Sequence, residues 1–211
     1  MPKSIRIFLL VLLPVLFTSC VDYVQSVSYK NGKYQMYYKV TLSKVLFAMA
    51  EEDPEQIFNG FDKEALGDLP ENVSVRKVNT DLEVGAEFSF LIDPHTTDEK
   101  QKAFLPKISG NKCYIPFLLG DENSGIADSM NSDNSETQAM VEAFMSSAKC
   151  RVLISKTIIP QIETAYFVGK GGQNYSIALF DYGDSYCLEI PFIVLMNKGN
   201  QKLDQIVVIK E

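Results

Sequence analysis

Tyr29-Lys30-Asn31-Gly32-Lys33-Tyr34 stands between two runs that alternate in polarity, Val21 to Tyr29 and Tyr34 to Thr41. Asn-Gly is the pair best able to take the two left-handed backbone conformations of a tight hairpin turn, so these runs read as two antiparallel strands. Alternation assigns Tyr34, Met36, Tyr38 and Val40 to one face and Gln35, Tyr37, Lys39 and Thr41 to the other. An apolar face opposite a polar one marks a sheet with one side on a core. A folded domain therefore begins at Val21.

Downstream of the hairpin the period changes. Leu42 to Ala50 sets Leu42, Val45, Leu46 and Met49 on one helical stripe, and Asp53-Pro54-Glu55 starts a second helix whose apolar face is Ile57, Phe58, Phe61, Ala65 and Leu66. Strands return at Val73 to Val78 and Leu82 to Ile92, the latter with Leu82, Val84, Ala86, Phe88, Phe90 and Ile92 inward. Thr96 followed by Glu99 fits a capping box for a helix from Thr97 to Leu105, ended by Pro106. After a strand from Cys113 to Leu119, Gly120 to Asn134 is acidic, rich in Ser and Asn and without apolar period, the composition of a mobile surface loop. Its acids do not make a calcium loop, because Ile126 stands where the required glycine belongs and Ser132 where the closing glutamate belongs. Ser135 caps a helix over Glu136 to Ala148 with Met140, Val141, Phe144, Met145 and Ala148 inward, and five strand-like runs joined by short turns complete the chain, Arg151 to Ile159, Ile162 to Val168, Tyr175 to Tyr182, Tyr186 to Met196 and Leu203 to Ile209. Pro191, inside one of them, calls for an edge or a bulge. The expected class is α+β, an antiparallel sheet with helices packed on one face and a C-terminal β-meander.

Upstream of the hairpin, Lys3 and Arg6 precede an apolar run that ends in Leu16-Phe17-Thr18-Ser19-Cys20. A dozen or so apolar residues are too few to span a bilayer, which needs about 20. The stretch resembles a bacterial lipoprotein signal, small residues standing before a cysteine whose sulfur is diacylated after the leader is cut away. That resemblance implies residues 1–19 as a cleaved leader, Cys20 as the lipidation site and 20–211 as one ectodomain carrying the acidic loop at 120–134. At about 0.8 kcal/mol per buried methylene, two or three acyl chains hold a protein on a membrane.

Of 20 basic residues two lie in the leader, leaving 18 against 27 acidic, a mature net charge of -9. Such a domain repels phosphate backbones, which excludes nucleic acid as a partner. Beyond Cys20, Cys113, Cys150 and Cys187 are odd in number and too evenly spaced for zinc, and they read as small apolar strand residues. The single histidine, His95, lies in a turn, and neither a Gly-x-Ser-x-Gly elbow nor a His-Glu-x-x-His helix is present. Gly169-Lys170-Gly171-Gly172 lacks the eight-residue phosphate-loop pattern. The expectation is a non-enzymatic chain without cofactor or metal.

Cys20, the immediate strand with Asn31-Gly32, the Asp53-Pro54 helix start and Ile158-Ile159-Pro160 before paired strands together resemble the ectodomain of LppM-type bacterial lipoproteins. The chain departs from that pattern in lacking a C-terminal membrane helix and in its insertion from Cys113 to Asn134. The resemblance implies an envelope protein that contacts lipids or glycolipids, and it assigns no functional residue. With Val21-Asp22 after the cysteine, an aspartate directly after it is absent, which favours the outer over the inner membrane. The expected function is a lipid-anchored envelope lipoprotein with a non-catalytic binding domain for an envelope protein or lipid. The alternative is a carrier of an apolar ligand lined by Phe58, Phe61, Phe88, Phe90, Phe144 and Met145.

Overall fold

A computed structural model describes residues 21–50, 70–117, 148–168, 173–192, 194 and 205–210. Twelve strands are built from these residues: β1 Val21–Lys30, β2 Lys33–Ser43, β3 Ser74–Asn79, β4 Glu83–Ile92, β5 Lys107–Ser109, β6 Lys112–Pro116, β7 Lys149–Ser155, β8 Ile162–Val168, β9 Asn174–Ser176, β10 Ala178–Asp181, β11 Ser185–Pro191 and β12 Gln205–Lys210. They form a seven-stranded sheet, in the order β10-β11-β7-β1-β2-β4-β3, and a five-stranded sheet, β5-β6-β12-β8-β9.

The opening hairpin forms as the turn chemistry dictates. Asn31 and Gly32 have φ of 54° and 76°, and the register runs from Lys30 opposite Lys33 to Val21 opposite Leu42. Met36 and Tyr38 lie inward at 1% exposure, as the alternation requires. β1 is interior, bonded to β2 on one side and in parallel to β7 on the other.

The expected class is overturned. Among the described residues the fold is β-rich, and its core lies between two sheets rather than between a sheet and helices. Two short helices, α1 Lys44–Ala50 and α2 Glu99–Ala103, have both ends among the described residues, and neither packs along a sheet face; α2 has no buried residue. The expected helix over 54–66, the expected helix over Glu136 to Ala148 except for its last residue, and the acidic loop at 120–134 lie outside the described residues; Ala148 is buried and non-helical just ahead of β7, its carbonyl accepting from the Phe192 N–H. Where helix was expected from Leu42, β2 continues through Ser43, because its pairing with β4 persists to Ser43 opposite Glu83. At α2 the cap is Asp98, whose Oδ1 accepts from the Lys100 N–H at 2.9 Å, while Thr96 accepts from the Asp98 N–H.

The C-terminal meander is overturned as well. β7 leaves the large sheet through a turn in which the Ile158 N–H donates to the Ser155 carbonyl, and β8 lands in the other sheet, against β12 and β9. The run expected as one strand, Tyr175 to Tyr182, divides at Ile177. Its N–H donates to the Ala165 carbonyl on β8, and Ala178 then joins β11 opposite Glu189. One extended stretch thus closes a corner of the sandwich. Pro191 conforms to its rule: the neighbouring Phe192 N–H bonds to Ala148 on the β7 side, so Pro191 turns its missing donor to the other side, where β10 has ended opposite Glu189.

The inner faces interdigitate. Tyr23, Val27, Met36, Tyr38, Ile92, Val152, Ile154 and Leu188 of the large sheet meet Cys113, Ile115, Ala165, Phe167, Ile206 and Val208 of the small one, all buried. Phe117 bridges them, edge-on to Tyr23 at 5.5 Å and tilted against Phe167 at 5.6 Å.

Candidate functional site

Cys20, Phe58, Phe61, Phe144 and Met145 lie outside the described residues. Phe88 and Phe90, the remaining side chains assigned to an apolar-ligand lining, are 6% and 4% exposed in the core. Phe90 stacks on Tyr38 at 5.9 Å and meets the edge of Phe104 at 5.1 Å. Phe90 thus has aromatic neighbours on one face and at its edge.

Two polar features stand inside this apolar interior. Gln25, wholly buried, donates from Nε2 to the Pro116 carbonyl at 2.7 Å and accepts at Oε1 from the Tyr23 hydroxyl at 3.1 Å. It is a strut from β1 of the large sheet to β6 of the small one. The Tyr38 hydroxyl is the other feature: among the described residues it is the one buried side-chain polar atom without a hydrogen-bond partner. Burial raises its pKa well above the ordinary tyrosine range, so it stays a neutral donor.

The outer face of the large sheet carries the main charged array. From β7 to β4 it runs Lys149 to Glu189 (2.6 Å), Glu189 to Arg151 (3.8 Å), Arg151 to Asp22 (3.1 Å), Asp22 to Lys39 (3.4 Å) and Lys39 to Glu83 (3.2 Å). The buried Thr41 hydroxyl donates to Glu83 at 2.8 Å, and Arg76 pairs with Glu87 at 2.6 Å. Strand alternation places these residues on one face, and the register across β11, β7, β1, β2 and β4 lines them up by opposite sign. Lys39 loses charge stability to burial but gains more from Glu83 and Asp22, so its pKa is raised. Every carboxylate in the array is held by a cation. The array therefore offers no free base or acid pair, and single exposed pairs of this kind each contribute about 0–1 kcal/mol.

The three thiols are buried and free. Burial pushes Cys113 up to about 11 and raises Cys150; at Cys187 burial and then Glu189 do the same. A thiol so protonated is a poor nucleophile. His95 is exposed in its turn, its own N–H bonded to Asp93 Oδ1 at 2.8 Å. Asp181 accepts from Lys156 Nζ at 2.8 Å and from the Gly183 N–H at 2.9 Å, and Lys156 is the main cause that holds its carboxyl below the usual range. Among the described residues no three His, Cys, Asp or Glu side chains are grouped to hold a metal ion, and no helix is long and apolar enough to cross a membrane.

Sequence reasoning missed three features: the Gln25 strut, the charged array and an exposed leucine. Leu82, expected inward, is 72% exposed on the turn before β4. Val45, the residue after Lys44, whose N–H donates to the Leu82 carbonyl, is 48% exposed at the start of α1. Comparison of the chain with protein-family models, curated proteins and solved structures finds no match.

Proposed function

We propose that this chain is an envelope lipoprotein, held at the outer membrane by acyl chains on Cys20 and presenting its β-sandwich as a non-catalytic binding domain. The observation that supports the reading most is the position of β1. An interior strand starts at Val21, directly after the cysteine of the lipobox-like sequence, so no linker separates anchor from core. The test is metabolic labelling with an alkyne fatty acid. The label is expected on the parent chain and not on Cys20→Ser, with the variant moving from the membrane to the soluble fraction. Equal membrane retention without label in both would overturn the anchor.

One observation favours a second reading, the carrier of an apolar ligand. The unpartnered Tyr38 hydroxyl, beside Phe90 and Phe104, is a donor with no acceptor among the described residues. A lipid bearing a carbonyl or hydroxyl near its apolar chain would satisfy it. Native mass spectrometry of the protein decides: a co-purified lipid of constant mass supports this reading, and bare protein at full occupancy removes it.

A further inference from the structure

The end of the large sheet from which Cys20 departs has its own apolar point. Leu42 of β2 and Val84 of β4 share the row of Val21, and the next row holds Ser43 and Glu83. Leu82 lies one residue farther still. With about 3.4 Å per residue and about 4.8 Å between strands, it stands roughly 7 Å beyond the row of Val21 and roughly 10 Å to its side.

The turn that carries Leu82 is pinned. Thr80 Oγ1 accepts from the N–H groups of Leu82 (3.3 Å) and Glu83 (3.1 Å), the Thr80 N–H donates to the Glu83 carbonyl (2.9 Å), and the Lys44 N–H donates to the Leu82 carbonyl (2.8 Å). That last bond holds α1, and with it Val45, against the same turn. A leucine 72% exposed and a valine 48% exposed are thus presented by ordered backbone at the end that bears the anchor. The mature net charge of -9 disfavours attraction to anionic headgroups, so burial of apolar side chains is the contact with lipid this end offers.

We infer that Leu82 and Val45 form a second contact with the lipid surface, entering the headgroup boundary beside the acylated Cys20 and setting the upright orientation of the domain. The inference rests on the anchor reading above. The opposite end, at the Asn31-Gly32 turn, then stands roughly 30 Å from the membrane, the length of β1, and is the end free to meet a partner.

The experiment uses the full acylated chain in vesicles of phosphatidylethanolamine and phosphatidylglycerol. An environment-sensitive fluorophore is placed on Leu82→Cys, Val45→Cys or, as the distal reference, Lys33→Cys; buried Cys113, Cys150 and Cys187 do not compete for it. Brominated acyl chains are expected to quench the labels at 82 and 45 several-fold more than the label at 33, with aqueous iodide giving the reverse order. If mass spectrometry shows Cys20 acylated and all three labels quench alike, the second contact is wrong and the anchor stands. If Cys20 is unmodified and the protein does not float with vesicles, the anchor reading falls and this contact with it.

Discussion

Replacing Gln25 by leucine tests whether a single polar side chain couples the two sheets. The substitution keeps the volume nearly constant, so little cavity energy enters. The Pro116 carbonyl loses a donor at 2.7 Å, and an acceptor left unpaired in a part-buried site costs about 1–3 kcal/mol. The Tyr23 hydroxyl loses the acceptor at 3.1 Å, a net contribution of about 1 kcal/mol. Against this, leucine buries more apolar surface than glutamine, but in a position surrounded by groups arranged to hydrogen-bond. The gross loss is about 2–4 kcal/mol, and the apolar gain of leucine brings the balance down to about 1–3 kcal/mol, against the 5–15 kcal/mol typical of a domain. Urea unfolding followed by circular dichroism reads it as a lower midpoint at unchanged slope. Adding Tyr23→Phe to Gln25→Leu should cost less than the sum of the two single changes, since the two groups serve each other. A loss below about 1 kcal/mol for Gln25→Leu, or strict additivity, would refute the strut.

Three further outcomes follow from the packing. A Cβ on Gly85 would run into the Val40 carbonyl oxygen and lie 2.7 Å from the Thr41 Cα, both backbone, so Gly85→Ala should destabilise by about 3 kcal/mol, the upper end of overpacking costs, in the same unfolding assay. Tyr38→Phe removes a buried hydroxyl with no partner and should leave stability unchanged or raise it by about 1 kcal/mol; a loss of that size would reveal a bound partner for the hydroxyl and favour the carrier reading. Burial raises Cys113 from the ordinary thiol value of 9.0 to about 11, so the folded protein holds its proton more tightly than the unfolded chain does. That contribution is complete below pH 9 and is lost as pH rises through 11. Unfolding midpoints measured across that window should fall, less steeply for Cys113→Val, and thiol reagents at neutral pH should modify Cys113, Cys150 and Cys187 only after denaturation.

The sequence by itself determined the local events. Asn31-Gly32 can close only a tight hairpin, and period-two alternation then assigns inward and outward faces, which is why Met36, Tyr38, Val84 and Ile92 lie where the pattern puts them. The three cysteines as small buried strand residues, and Pro191 as a residue that needs an unpaired side on its strand, were legible for the same reason, since each depends on one residue's own chemistry and its neighbours in the chain. What tertiary structure decided is which strand lies beside which. The short turn after β7 looks like a hairpin connection and Tyr175 to Tyr182 looks like one strand, yet the chain crosses to the other sheet at both places, because β7 pairs with β1, β8 and β9 belong to the sheet of β12, and Ala178 onward pairs with β11. The α+β expectation failed on the same point: an alternating strand is equally ready to bury its face against helices or against a second sheet. The Gln25 strut and the charged array share that origin. Gln25 and Pro116 are separated by 91 residues, and Asp22 and Arg151 by 129, so only the pairing of distant strands brings them together. Leu82 shows the limit in one residue: alternation sends it inward, and the bonds of its turn to Thr80 and Lys44 carry it out beyond the sheet.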